Sequence, residues 1–389
     1  MNLIPFAQPD IGDEEIAAVT TVLRSGWLTT GAEALAFENE FASYVGCAHG
    51  LAVNSATAGL HLALEAVGVG PGDTVIVPSL TFTATAEVAH YLRAKVMFCD
   101  ICRDTLLLDP GALERCCASV LRDGGSIGAI IPVHLMGAVC PMAEILEIAT
   151  RYDTVVIEDA AHAFPVATDS GYVGTLGTVG VFSFYANKTI TTGEGGMVCT
   201  NRDDIAARIR TMRLHGIDRE SWFRFRTPGS SSWQYDIVAP GYKYNMPDTA
   251  AALGRVQLRR AVELLEKRRA IVQWYYRRLS QLAHDGLIKL PHRVEEHAWH
   301  LFVVRVLRHD RDAVIAALGE RGIGTSVHYI PLHHTTFWSA TAQPTDLPGT
   351  EEVAPQILSL PLFPKLTEAD VARVVDALAA VFDELEPRP

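Results

Sequence analysis

The chain has 389 residues, 49% hydrophobic and 20% charged, with a formal net charge of −12 at pH 7. That composition suits a globular protein with a large core and more than one domain. The acidic balance argues against nucleic acid or an anionic membrane surface as the main partner, and leaves open a small anionic ligand held at a local positive site. Residues 1–20 carry Asp10, Asp13, Glu14 and Glu15 where a signal peptide would be basic and then apolar. No stretch approaches the roughly 18 apolar residues that span a bilayer. The seven cysteines show no Cys-x-x-Cys spacing, and their odd number fits reduced thiols. The expectation is a cytoplasmic protein without a structural metal.

In chain order, Asp13 to Leu23 reads as a helix whose acidic first turn suits the positive end of the helix dipole. The loop Gly26-Trp27-Leu28-Thr29-Thr30-Gly31 suits a ligand-facing segment, and equally a plain helix connection. A short strand at 51–53 runs into Asn54-Ser55-Ala56-Thr57-Ala58-Gly59, with a helix expected over 60–67. A strand, a small-residue turn and a helix N-terminus offer free N–H groups to an anion. Lacking a Walker lysine, the turn fits one phosphate rather than a triphosphate; ordinary capping by Ser55 or Thr57 is the plainer alternative. Gly68-Val69-Gly70-Pro71-Gly72-Asp73 mimics a dinucleotide fingerprint, but it follows a helix and precedes a strand, the reverse of the required order.

Strands at 74–77, 95–99, 127–132 and 154–158 then alternate with helices at 83–92, 110–122 and 141–152. This is α/β organisation, with a largely parallel sheet and ligands expected at the carboxyl ends of its strands. The apolar run Val155-Val156-Ile157 delivers Glu158 and Asp159, and His162 follows three residues later. A buried Asp159 needs a cationic partner, which a protonated pyridine nitrogen would supply. Helix capping by Asp159 and a packing role for His162 are the alternative.

The most informative stretch is Val181 to Val198. An apolar strand enters a turn ending on Lys188, then come Thr191-Thr192 and Gly193-Glu194-Gly195-Gly196, and a second strand. Lys188 is one of six lysines in the chain and sits among aromatics, threonines and glycines. Desolvation there lowers an amine's pKa and makes it a nucleophile for aldehydes, which points to a Schiff base with pyridoxal phosphate. A surface hairpin lysine is the bland reading. Between Gly216 and Gly241 the chain reads as a long loop, and from about Asp248 to Leu282 as one long helix whose basic Lys267-Arg268-Arg269 faces solvent. Past 290, a strand at 298–306, a helix at 311–321 stopped by Gly322 and a capped helix at 367–385 make a smaller α+β domain, with Pro361 and Pro364 bracketing an exposed turn. The expected division is 1–250 and 251–389.

Several segments together resemble the DegT/DnrJ/EryC1/StrS sugar aminotransferases, within fold type I of the pyridoxal-phosphate enzymes. They are Ser-Gly-Trp-Leu-Thr-Thr-Gly (25–31), Asn-Ser-Ala-Thr-Ala-Gly-Leu-His-Leu-Ala-Leu (54–64), Pro-Ser-Leu-Thr-Phe-Thr-Ala-Thr-Ala (78–86), Glu-Asp-Ala-Ala-His-Ala (158–163), Ser-Phe-Tyr-Ala-Asn-Lys with Gly-Glu-Gly-Gly (183–196), and Gly-Tyr-Lys-Tyr-Asn (241–245). The resemblance implies an aspartate-aminotransferase-like large domain and roles for matching positions. Lys188 would hold the cofactor, Asp159 would pair with its pyridine nitrogen, and His162 would stand near its 3-hydroxyl. Thr57, Ala58 and Ser183 would bind its phosphate, and Phe82 would stack on its ring. Lys243 or Asn245 would reach the cofactor of a partner subunit in a homodimer with shared sites.

His297-Ala298-Trp299-His300-Leu301-Phe302, Glu320-Arg321-Gly322-Ile323-Gly324-Thr325 and Ser359-Leu360-Pro361-Leu362-Phe363-Pro364 are similar to the subgroup acting on 4-keto sugars. The expected reaction is glutamate-dependent amination, at C4, of a thymidine-diphosphate 4-keto-6-deoxyhexose. Arg24, Trp27, Thr29, Lys243, His328 and Tyr329 are the substrate-contact candidates. The rivals are amination at C3 or of a cyclitol, a dehydratase with histidine in place of the lysine, and a ligand sensor with a fused DNA-binding domain. Lys188 argues against the dehydratase. The acidic charge, and a fold that begins by residue 13, argue against the sensor.

Overall fold

The computed structural model describes residues 3–218, 235–294, 296–342 and 345–387. Much of the loop expected between Gly216 and Gly241 lies outside the described residues. The central sheet contains β1 (His49–Val53), β2 (Asp73–Pro78), β3 (Lys95–Cys99), β4 (Ser126–Ile130) and β5 (Ile157–Asp159). After a small hairpin, β6 (Ala167–Thr168) with β7 (Gly171–Tyr172), it is completed by β8 (Val179–Ser183) and β9 (Gly196–Thr200). The spatial order is β3-β2-β4-β5-β8-β9-β1, the two halves joined where Asp159 N–H donates to Pro132 O at 2.9 Å and Ile130 bridges Val156. Among the described residues only β9 is reversed in this sheet, running antiparallel to β8 and β1.

Alternation along the strands decides the layers. Val53, Val75, Val77, Val181 and Val198 point into one apolar cluster, while Ala52, Phe182 and Met197 point into a second on the other face. Both faces are therefore buried, as a sheet wrapped by helices requires. The helix Ala56–Ala66 sits so close that a Cβ on Gly59 would lie 2.7 Å from Val181 Cγ1. Only glycine allows that approach.

A second, antiparallel sheet is built from β10 (Ile288–Lys289), β11 (Phe302–Val306) and β12 (Ile357–Leu360). It shares a core with the helices Ala261–Arg278, Arg311–Glu320 and Glu368–Glu384, through residues such as Tyr275, Phe302, Leu318 and Leu378. The capping pair Thr367 and Asp370 is in place, and Gly322 ends its helix with φ +71°.

Several expectations are corrected. The helix expected from Leu60 begins at Ala56, because Ser55 already caps it: its Oγ accepts Ala58 N–H at 3.1 Å. The single helix expected over 248–282 is three, Asp248–Arg259, Ala261–Arg278 and Ser280–His284. The first break is at Arg260, with φ −92° and ψ 0°, whose guanidinium is tied to Glu15 Oε1 at 2.6 Å and to the Asp10 carbonyl at 3.2 Å. Arg268 is no surface charge but is 2% exposed, and its Nη1 donates to the carbonyls of Trp299, His300 and Leu362. Strand β11 starts at Phe302 rather than 298, since Trp299 takes φ +47°. Pro361, Leu362 and Phe363 are buried rather than exposed.

Candidate active site

The parallel strands deliver their carboxyl ends to one edge of the sheet, and a cavity of about 510 Å³ opens there. Ser55 and Thr57 follow β1, Thr81, Phe82 and Thr85 follow β2, Val133 follows β4, Asp159 ends β5 and Ser183 ends β8. Because β9 is reversed, its leading residues Glu194 and Gly195 reach the same edge. His328 and Tyr329 come from the far part of the chain to close one wall.

Lys188 lies in this cavity at the end of a turn in which its N–H donates to Tyr185 O at 3.0 Å. Burial pushes its ammonium down to about 7, against the opposing pull of the Asp159 charge. A large fraction of Nζ is then a neutral, nucleophilic amine near neutral pH. Asp159 is buried, and burial raises its carboxyl above the usual carboxylate range. Thr85 Oγ1, donating to Oδ2 at 2.9 Å, and Ala161 N–H, donating to Oδ1 at 3.1 Å, oppose that rise. Thr85 is in turn 2.8 Å from Thr81 Oγ1. Beside Asp159 on the strand, Glu158 faces the other way and accepts N–H bonds from Gly174, Leu176 and Gly177, with His134 Nε2 at 3.0 Å. These donors anchor the strand that carries Asp159.

His162 is buried and receives the Met136 N–H on Nδ1 at 3.2 Å. Its proton therefore sits on Nε2, which donates to the Tyr329 hydroxyl oxygen at 3.2 Å. Burial, with Lys188 and His328 adding to it, holds this imidazole well below its ordinary value, in line with a neutral ring. Beneath it lies His300, 4.3 Å away between ring centroids. Phe82 is 56% exposed at the mouth, its ring 5.7 Å from that of Tyr329.

The structure thus brings Thr57, Phe82, Asp159, His162, Ser183, Lys188, His328 and Tyr329 to one cavity. Ala58 lies one step deeper in the helix, its N–H taken by Ser55. Arg24, Trp27, Thr29, Lys243 and Asn245 are not among the residues lining this chain's cavity. Lys243 Nζ instead donates to Asn245 Oδ1 at 2.6 Å, and Asn245 Nδ2 donates to Thr30 Oγ1 at 2.6 Å, tying the 241–245 segment to the 26–31 loop. Sequence reading missed Thr85, Thr81, Tyr185, Asn187, Glu194 and His300. Thr81 and Thr85 lay inside the Pro78–Ala86 match and could have been found there.

The donor set fits a phosphorylated pyridine aldehyde. Asn187 Oδ1 lines the cavity as a buried acceptor without a partner among the described residues. A Cβ on Gly196 would lie 2.8 Å from Ala56 N, so the glycine lets β9 abut the helix N-terminus that would hold a phosphate. The amine of Lys188 and the carboxyl group of Asp159, in the same cavity, would suit the aldehyde and the ring nitrogen of such a molecule.

Comparison with known proteins agrees. The sequence profile of the DegT/DnrJ/EryC1/StrS aminotransferase family matches residues 9–379. An uncharacterised protein of Methanocaldococcus jannaschii is 41% identical over 390 residues, covering 98% of each chain. A Streptococcus pneumoniae protein described as a sugar aminotransferase, solved in PMP and PLP forms, superposes in its PMP form with a TM-score of 0.88 at 31% identity, covering 98% of this chain and 99% of that one. DesV of S. venezuelae superposes with a TM-score of 0.84 at 31% identity over 98% of both chains.

Proposed function

Because the chain belongs to the DegT/DnrJ/EryC1/StrS aminotransferase family and is a pyridoxal-phosphate-dependent sugar aminotransferase, we propose that it aminates C4 of a nucleotide-linked 4-keto-6-deoxy sugar, with L-glutamate as nitrogen donor. The observation that carries the reading is Lys188 and Asp159 in one cavity, the first an amine near half-neutral at pH 7 and the second a carboxylate held by Thr85 and Ala161. The bound cofactor supplies an aldehyde that captures amines and a ring that accepts electrons. Nζ of Lys188 would hold the cofactor through its aldehyde and, when free, would move the proton at the reacting carbon as base and then acid. Asp159 would pair with the ring nitrogen and balance a pyridinium charge there. His162, neutral and fixed by Met136, offers Nε2–H to an oxygen on the cofactor or to Tyr329. The N–H groups at the start of the helix Ala56–Ala66, with Thr57 and Ser183, take the phosphate. The preference for C4 is supported by the similarity of the 297–302, 320–325 and 359–364 segments to the subgroup acting on 4-keto sugars. We further propose that Lys243 and Asn245, outside this chain's cavity, serve the site of a second copy.

Absorption spectroscopy tests the reading. The purified protein with pyridoxal phosphate should show a band near ~420 nm that falls with L-glutamate and returns with a 4-keto-6-deoxy nucleotide sugar. A band that falls and returns only with a 3-keto sugar moves the reaction to C3. No band after cofactor addition overturns the role of Lys188.

A further inference from the structure

Away from the cavity, His333 and His334 converge on Glu351. His333 Nε2 lies 2.6 Å and His334 Nε2 2.8 Å from the same oxygen, Glu351 Oε1. Among the described residues these three form a group of potential metal ligands whose donor atoms all lie within 4.8 Å of one another. We propose that they form a binding site for a divalent transition-metal ion of the zinc class, which pins the 328–334 segment.

Two imidazole nitrogens and one carboxylate oxygen, with water completing the shell, are an ordinary donor set for such an ion. Two of the three positions are held from outside. Ser79 Oγ is 2.5 Å from His333 Nδ1, so the hydroxyl oxygen can accept Nδ1–H and leave Nε2 bare for the metal. Glu351 lies in the short helix Pro348–Val353, whose Gly349 and Thr350 N–H groups donate to Asp100 at 2.7 and 2.8 Å. The present nitrogen–oxygen separations suit hydrogen bonds. Bonds of about 2.0–2.2 Å in a tetrahedral shell would spread them to roughly 3.3 Å. Glu351 is half-exposed and can swing outward to allow it.

The ion would act on the cavity through the backbone. Leu332 N–H donates to Ser79 O at 2.9 Å, and Ser79 follows β2, two residues before Thr81. The same segment begins with His328 and Tyr329 in the cavity wall. An ion bridging residues 333, 334 and 351 would therefore fix the segment at its far end. Sequence reading expected no structural metal, because the seven cysteines show no Cys-x-x-Cys spacing.

Calorimetric titration of the tag-free holoprotein with Zn²⁺ tests the site. One saturable site per chain is expected, weakened at least roughly tenfold in both His334→Ala and Glu351→Gln, and unchanged in His284→Ala, a control in the helix Ser280–His284. Retention of the cofactor absorbance shows that each variant folds. The proposal is overturned by the absence of a saturable site in the wild type, or by binding that survives both His334→Ala and Glu351→Gln. Metal binding is read independently of turnover, so failure here leaves the aminotransferase reading untouched.

Discussion

The backbone N–H of Met136 donates to His162 Nδ1 at 3.2 Å, and this fixes where the ring proton of His162 resides. The donor cannot be shared with a protonated Nδ1, so the imidazole is a neutral Nε2–H tautomer aimed at Tyr329. Its nitrogen NMR shifts should therefore stay those of an unprotonated Nδ1 and a protonated Nε2 from about pH 6 to pH 8. A ring that titrates in that window would refute the assignment. Replacing His162 by Phe removes both hydrogen bonds and should lower kcat/KM by roughly 10–100-fold, about 1.4–2.8 kcal/mol.

Lys188 gives a second, kinetic prediction. Its ammonium is pushed down to about 7 by burial, so the neutral amine grows as pH rises through that value. The rate at which the cofactor-free protein captures pyridoxal phosphate should climb through about pH 7 and level off above about pH 8. Lys188→Arg should remove capture and lower turnover by at least about a thousandfold. A capture rate still rising steeply at about pH 9 would place the amine at its ordinary value and contradict the burial argument.

The parts of the site written within single strand–turn units were legible in sequence. Asp159 follows an apolar strand, Ser55 and Thr57 open a helix, and Lys188 ends a turn between two strands; each signal lies within a few residues. The parallel α/β layout was legible because short apolar strands alternate with helices along the chain. What stayed hidden depends on distant partners. Arg268, in a Lys-Arg-Arg run, reads as solvated until helix Ala261–Arg278 is docked and its guanidinium meets the carbonyls of residues 299, 300 and 362. The break at Arg260 is similar, because Glu15 and Asp10 come from some 245 residues earlier. The contact between His300 and His162 joins segments 138 positions apart, from 162 to 300, which no local pattern encodes.

Arg268 carries a stability prediction. It is buried, burial lowers its guanidinium to about 10, and it still remains charged near neutral pH. Nη1 serves three carbonyls at 3.1–3.2 Å, while Nε is buried without an acceptor among the described residues. Substituting Met keeps much of the volume but strands the three carbonyls, and should cost about 3 kcal/mol in urea unfolding. Lys in the same place should recover only part of this, since its shorter side chain must carry the ammonium to the point that Nη1 reaches. A loss under about 1 kcal/mol for the Met variant would mean that water or shifted backbone satisfies those carbonyls instead.

The acid limb of stability should follow the buried histidines, and the sign can be worked out for His297. Burial alone holds its imidazole at about 3, against an ordinary value of 6.5, while its Nδ1 accepts Trp299 N–H at 2.8 Å. Between those two values the unfolded chain binds a proton that the folded chain does not. Stability contributed by the neutral ring is therefore complete above pH 6.5 and is lost as the pH falls toward about 3. The loss is on the order of 1.4 kcal/mol per pH unit. His328, held at about 4 by burial and then by Lys188, contributes in the same direction. His297→Asn keeps an acceptor for Trp299 N–H but removes the titrating ring. Urea unfolding of this variant from about pH 6 to pH 4.5 should show a slope shallower than that of the parent by about one proton. Equal slopes would show that His297 is protonated in the folded protein and that its burial is relieved by a partner or by water.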